Sequence, residues 1–205
     1  MDSGKFDWEQ NDKFPGLTTP DESYHGLTYT KDFGEAAYIT KATAQLMRDL
    51  GSIPAANNAW LLNLGLETLH LRMPRHCENA KKVAEYLKNN EKITWVKCAM
   101  LDDDSQHEIA MKYMPNGTCG VVSFGIKGGR EAATVFMDSL KLAAIVTHVA
   151  DARTCCLHPA STTHRQLTDK ELEECGVTPD LLRFSCGIED ADDIIEDIQQ
   201  ALDKI

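Results

Sequence analysis

Apolar residues along this chain change period as it runs. Over residues 33–50 they return every three to four positions, the spacing of one helix face, and the run stops at Gly51, a residue suited to the left-handed turn that ends a helix. Pro54 predicts a second helix start, because a first-turn proline gives up no intrahelical bond; Trp60, Leu61, Leu64 and Leu71 give that helix an apolar side. Pro74 predicts a third start, ahead of Ala80, Val83, Ala84 and Leu87, which share one core-facing stripe. The segment before these helices differs. Gly4, Pro15, Gly16, Pro20 and Gly26 alternate with Phe6, Trp8, Phe14, Tyr24 and Tyr29, which predicts an ordered excursion packed on its aromatics rather than a tail.

Beyond residue 90 the period shortens. Residues 93–98 and 119–126 are β-like, the second stretch being rich in β-branched residues between Gly117 and Gly128. Residues 130–140 are helical, and short apolar runs follow at 143–149 and 154–157. Thr168 and Glu171 form a capping-box pattern, 181–186 predicts a strand, and 190–205 a closing helix with Ile194, Ile195, Ile198, Leu202 and Ile205 on one face. Residues 73–205 therefore predict a complete α+β domain, with helices on one face of a mostly antiparallel sheet. Residues 1–72 offer a loop and two helices with no strand to cover, and read as part of something larger.

Composition narrows the partners. A hydrophobic share of 42% and a charged share of 26% in 205 residues describe a folded globular chain. Twenty-one basic against 32 acidic residues leave a net charge of -11, which repels phosphate backbones and argues against nucleic acid. No apolar stretch approaches the roughly 20 residues of a membrane span, and MDSGKFDWEQ carries no apolar leader core. Seven cysteines, an odd number without CxxC spacing, fit reduced thiols in a cytoplasm.

The densest polar cluster is His158-Pro-Ala-Ser-Thr-Thr-His164, just after Cys155-Cys156. A zinc or thiol-redox site would recruit Cys155 or Cys156, His158 and His164. Adjacent cysteines rarely share one tetrahedral ion, so a hydrogen-bonded turn is the better reading and no metal is expected. Lys127-Gly128-Gly129-Arg130 resembles a phosphate cradle, but without a Walker or GxGxxG pattern it reads as a strand-to-helix turn. Arg183 interrupts an apolar strand and His148 an apolar run; spacing alone makes these a solvent-facing arginine and a core histidine.

Several stretches together point further. SGKFDW (3–8), GLETLHLRMPRHCENAKKVAEYL (65–87), HPASTTHRQL (158–167) and LLRFSCGIEDADDIIEDIQQAL (181–202) closely resemble the O-acetylhomoserine sulfhydrylases of the cystathionine-γ-synthase-like pyridoxal-phosphate family. The resemblance covers the chain from about residue 2 onward and corresponds to the C-terminal half of such enzymes. It implies a type I aminotransferase-like α/β fold, with 1–72 as the tail of the large cofactor-binding domain and 73–205 as the small domain. Members exchange the acetate of O-acetylhomoserine for sulfide or a thiol in methionine and cysteine metabolism, using pyridoxal 5'-phosphate on a Schiff-base lysine.

The resemblance carries three positions over to a small amino-acid substrate. Arg183, in Leu-Arg-x-Ser-x-Gly-Ile-Glu, matches the α-carboxylate binder; Thr163 matches a threonine near that carboxylate; His148 stands where Asn or Ser is usual and touches the substrate. Ala150 replaces a common glycine, and Asn57-Asn58 a common Phe-Asn or Phe-Asp. No catalytic or cofactor-binding residue is assigned: Lys31 and Lys41 share a Thr-Lys pair with the Schiff-base strand but lie beyond its expected place. The expectation is a chain inactive alone, completed by the missing N-terminal half or a homo-oligomer, and prone to self-association through its uncovered helices. The alternative is a non-catalytic assembly partner or a small amino-acid-binding remnant.

Overall fold

A computed structural model describes residues 3–10 and 12–205. The chain divides into two compact units, Met1–Asn63 and Leu64–Ile205. In the first, short helical turns follow one another: α1 (Pro15–Thr18), α2 (Tyr29–Phe33), α3 (Ala37–Lys41), a π-helical turn at Ala42–Met47, and α4 (Arg48–Leu50). The helix expected over 33–50 thus begins at Tyr29 and is broken at Gly34, whose φ of 52° the interior of a right-handed α-helix does not accommodate. Gly51 ends it at φ 64°, as its sequence position predicts. Leu17, Tyr29 and Ala37 form the small buried core of this unit. The aromatic excursion is ordered: Trp8 stacks on Tyr38 with ring centroids 5.7 Å apart, and Phe14 meets Trp8 edge-on at 5.1 Å.

Helix α5 (Ala56–Glu67) is apolar on all sides and buries none of its residues. After Thr68, α6 (Leu69–Lys88) runs through Pro74, which lies inside the helix and not at its start. The lost N–H removes one bond, to the His70 carbonyl. Burial of His76, Cys77, Ala80, Val83, Ala84 and Leu87 beyond it keeps the helix continuous.

The second unit carries a sheet of five strands: β1 (Ile93–Lys97), β2 (Val121–Ile126), β3 (Ala144–Ile145), β4 (Cys155–Leu157) and β5 (Leu181–Ser185). Their spatial order is β1-β2-β5-β4-β3, antiparallel except for the β3–β4 pair, in agreement with the expected mostly antiparallel sheet. Val122, Phe124 and Ile126 of β2 alternate with outward residues, as do Leu182 and Phe184 of β5. These inward residues pack against α6, α8 (Gly129–Ser139) and α10 (Ala191–Leu202). Helix α9 (Asp169–Glu174) starts with the predicted capping box, Thr168 and Glu171 bonding reciprocally. The short α7 (His107–Tyr113) was not expected; it buries only Ala110 and so leaves almost no periodic signal. No helix of the described residues is long and apolar enough to cross a membrane.

Candidate substrate-binding site

Strand β5 pairs on both sides, so its register decides what surrounds Arg183. Ser123 of β2 lies opposite it on one side and Leu157 of β4 on the other. Because Leu182 and Phe184 enter the core, the pleat sends Arg183 to the opposite face of the sheet. There the guanidinium of the half-buried Arg183 donates one solvent-exposed hydrogen bond, 2.8 Å to the Thr147 carbonyl. No carboxylate pairs with it among the described residues, whereas Arg75 pairs with Asp190 and Arg130 with Asp169. The rest of its planar fork stays available for an anion.

The same face holds the 146–153 segment at a second point. Ala150 N–H donates to Ser185 Oγ at 3.2 Å, two residues along β5 from Arg183. Ala150 does so at φ 58°, the left-handed region that costs a Cβ-bearing residue and suits glycine. His148 follows Thr147 directly. Its Nδ1 lies 3.3 Å from Asp151 Oδ2, with the ring largely exposed. The Arg153 N–H bond to Asp151, helped by His148, holds that carboxyl below its ordinary range despite some burial.

Arg183 and the Thr147–His148 backbone are therefore brought together. Thr163 is not joined to them by a hydrogen bond: its exposed hydroxyl shares one with His164 Nδ1 at 2.9 Å. It sits on the turn that leaves β4 after Leu157, the register partner of Arg183. Buried His158 fixes that turn. Pro179 O can only accept, so Nε2 donates to it at 2.8 Å, and Nδ1 shares a hydrogen bond with Ser161 Oγ at 2.7 Å. With both ring nitrogens used, His158 works as the hydrogen-bonded turn predicted. Cys155 and Cys156 are free and buried, and burial pushes both thiols up, which disfavours thiolate. Among the described residues no three His, Cys, Asp or Glu side chains are placed to hold a metal ion.

Two carboxylates that sequence reasoning passed over fasten the two ends of the 141–154 segment. Glu189 accepts Thr154 N–H at 2.7 Å and Thr154 Oγ1 at 2.9 Å, and the Gly187 N–H reaches Thr154 Oγ1 at 2.8 Å. A Cβ on Gly187 would fall 2.2 Å from Glu189 Oε2 and 2.4 Å from Ala152 O, so only glycine fits. Asp197 accepts backbone N–H groups from Lys141, Leu142 and Ala143. Its signal was legible: an acid on the core stripe between Ile194 and Ile198.

A cofactor such as pyridoxal phosphate needs a lysine able to give up its proton. Lys41 Nζ is already engaged, 2.9 Å from Asp21 Oδ2 and 2.6 Å from Gln45 Oε1. Lys31 is exposed on α2. Neither is assigned as a covalent anchor. Lys127–Arg130 forms the expected strand-to-helix turn, with Gly128 at φ 98° capping α8 and Gly129 at φ 64° as its first residue.

Residues 25–203 match the family described as Cys/Met metabolism PLP-dependent enzyme. Over 204 residues the chain is 46% identical to a homocysteine synthase of Schizosaccharomyces pombe, covering 99% of this chain and 48% of that one. Over 214 residues it is 45% identical to an O-acetyl-L-homoserine sulfhydrylase of Leptospira meyeri, with 100% and 48% covered. A Campylobacter jejuni crystal structure described as an O-acetylhomoserine (thiol)-lyase, containing N'-pyridoxyl-lysine-5'-monophosphate, superposes with a TM-score of 0.80 at 37% identity. It covers 95% of this chain and 46% of that chain. The chain spans about half the length of the curated relatives it matches.

Proposed function

Since the chain belongs to the Cys/Met metabolism PLP-dependent enzymes, we propose that it forms the substrate-carboxylate side of an O-acetylhomoserine sulfhydrylase and works with a segment that supplies the Schiff-base lysine. One observation carries this reading. Among the described residues, Arg183 is half-buried on a sheet face with a single backbone carbonyl as hydrogen-bond partner and no carboxylate paired with it. A guanidinium without a paired counter-charge favours an anion, and a two-pronged carboxylate matches its geometry. His148, one residue from the Thr147 carbonyl, borders the same position, and Thr163 lies on the turn beyond β4.

Pyridoxal phosphate supplies the electron sink of this chemistry when bound. In this reading its covalent attachment comes from the completing segment, since the Thr-Lys pairs at Lys31 and Lys41 lie beyond the place the family resemblance gives the Schiff-base strand. The chain's own part is to grip the α-carboxylate and orient the amino acid. Helix α5 supports the assembly half of the proposal: a helix apolar all round is normally covered.

Co-expression with the N-terminal half of a full-length relative tests both parts. The expected result is a soluble complex that releases acetate from O-acetylhomoserine in the presence of sulfide, while the chain alone releases none. In that complex Arg183→Gln should lower kcat/KM about 100-fold, chiefly through KM, since two charged hydrogen bonds contribute about 3 kcal/mol. Unchanged KM in the variant would remove Arg183 from the site, and turnover by the isolated chain would overturn the external lysine.

A further inference from the structure

We infer that Asp197 is a positioning residue for the carboxylate site, fixing the strand from which the Thr147–His148 segment is hung. The inference rests on the reading of Arg183 as the carboxylate binder. Asp197 is 6% exposed, on a helix face whose other members are Ile194, Ile198 and Ala201. A buried carboxylate there needs compensation, and it has it. Lys141 N–H donates to Oδ1 at 2.8 Å, and Leu142 and Ala143 N–H donate to Oδ2 at 3.0 and 2.9 Å. Gln200 Nε2 adds a bond to Oδ1 at 3.1 Å.

Those three N–H groups immediately precede β3, whose two residues pair with Cys155 and Cys156. A two-residue edge strand holds its own register weakly. Thr147, whose carbonyl meets Arg183, comes two residues after β3. The far end of the segment has a separate fastening at Thr154, on Glu189. Asp197 therefore sets where the segment starts and Glu189 where it ends. Loosening the start shifts Thr147 and His148 relative to Arg183, and misplacing a binding group by about 1 Å can cost orders of magnitude in function.

The test uses the full 205-residue chain with O-acetyl-L-homoserine as probe, followed by NMR titration. Wild type should bind in a manner lost in Arg183→Gln; if it shows no Arg183-dependent binding, both the site and the inference fall. Given that binding, Asp197→Asn should raise Kd about tenfold, shift the Thr147 and His148 amide resonances, and leave the β2–β5 amides in place. The exposed Asp193→Asn, on the same helix, should do neither. Gln200→Ala, a milder change should Asp197→Asn not fold, is expected to raise Kd about threefold. A variant of Asp197 that lowers the melting temperature while Kd and the Thr147 and His148 resonances stay unchanged overturns the positioning role alone.

Discussion

The second unit buries a large apolar core, and the first buries only a small one. Between residues 64 and 205, Val122, Phe124, Phe136, Leu182, Phe184, Ile194, Ile198 and Leu202 have essentially no exposure. In the first unit Leu17, Tyr29 and Ala37 are buried, while Leu46, Met47, Leu50, Ile53, Trp60 and Leu62 are 46–75% exposed. Burial of apolar area is the dominant driving force of folding. The second unit can thus be explained from its own contacts. The first is held by stacked aromatics and by polar contacts such as Lys41 with Asp21, and its uncovered apolar surface is of the kind that marks an interaction site.

The largest effect that can break this contrast is in the core. Phe184 packs beside Phe124 under the helices, so Phe184→Ala should cost about 3–5 kcal/mol in urea unfolding followed by circular dichroism. Leu62→Ala, at a position 68% exposed, should cost less than about 0.5 kcal/mol. Comparable losses at the two positions would mean that α5 is covered within the isolated chain.

The same contrast explains what the sequence could reveal. Strands β2 and β5 and helix α10 bury one clean face each, so their periodicity announced them. The 29–50 region has little to bury, so local geometry at Gly34 and the π turn decided its breaks instead of a stripe. Pro74 misled because tertiary burial further along α6 outweighs one missing hydrogen bond. At the site, Arg183 and His148 were visible only through the family resemblance; spacing alone made them ordinary. The Thr147 carbonyl and Ser185 Oγ had no signal, because a backbone oxygen and a small hydroxyl gain their roles from register.

A moderate effect lies on the loop over the sheet. Ala150 occupies φ 58° while its N–H is held by Ser185. Ala150→Gly relieves the Cβ strain but adds freedom to the unfolded chain, so the expected net gain is about 0.5–1 kcal/mol. Thermal unfolding of the pair measures it. A loss of stability would show that the loop relaxes without strain.

The smallest effect concerns the polar fastening of the first unit. The Ser23 hydroxyl, joined by Lys41, draws the Asp21 carboxyl down from 3.8 to about 2. A group whose folded value is depressed contributes stability above its unfolded value, and that contribution is lost as pH falls from near 4 through about 2. The Asp21 carboxyl resonance in a carbon-detected titration should therefore have its midpoint near 2. Ser23→Ala should move that midpoint up towards 3.8, with Lys41 retaining part of the depression. Asp180 of the second unit, held down by bonds including those from Thr94 and Trp95 against its burial, should not respond. If Asp21 keeps its low midpoint without the Ser23 hydroxyl, the ion pair with Lys41 is the principal fastening, and Lys41→Met becomes the substitution that releases this turn.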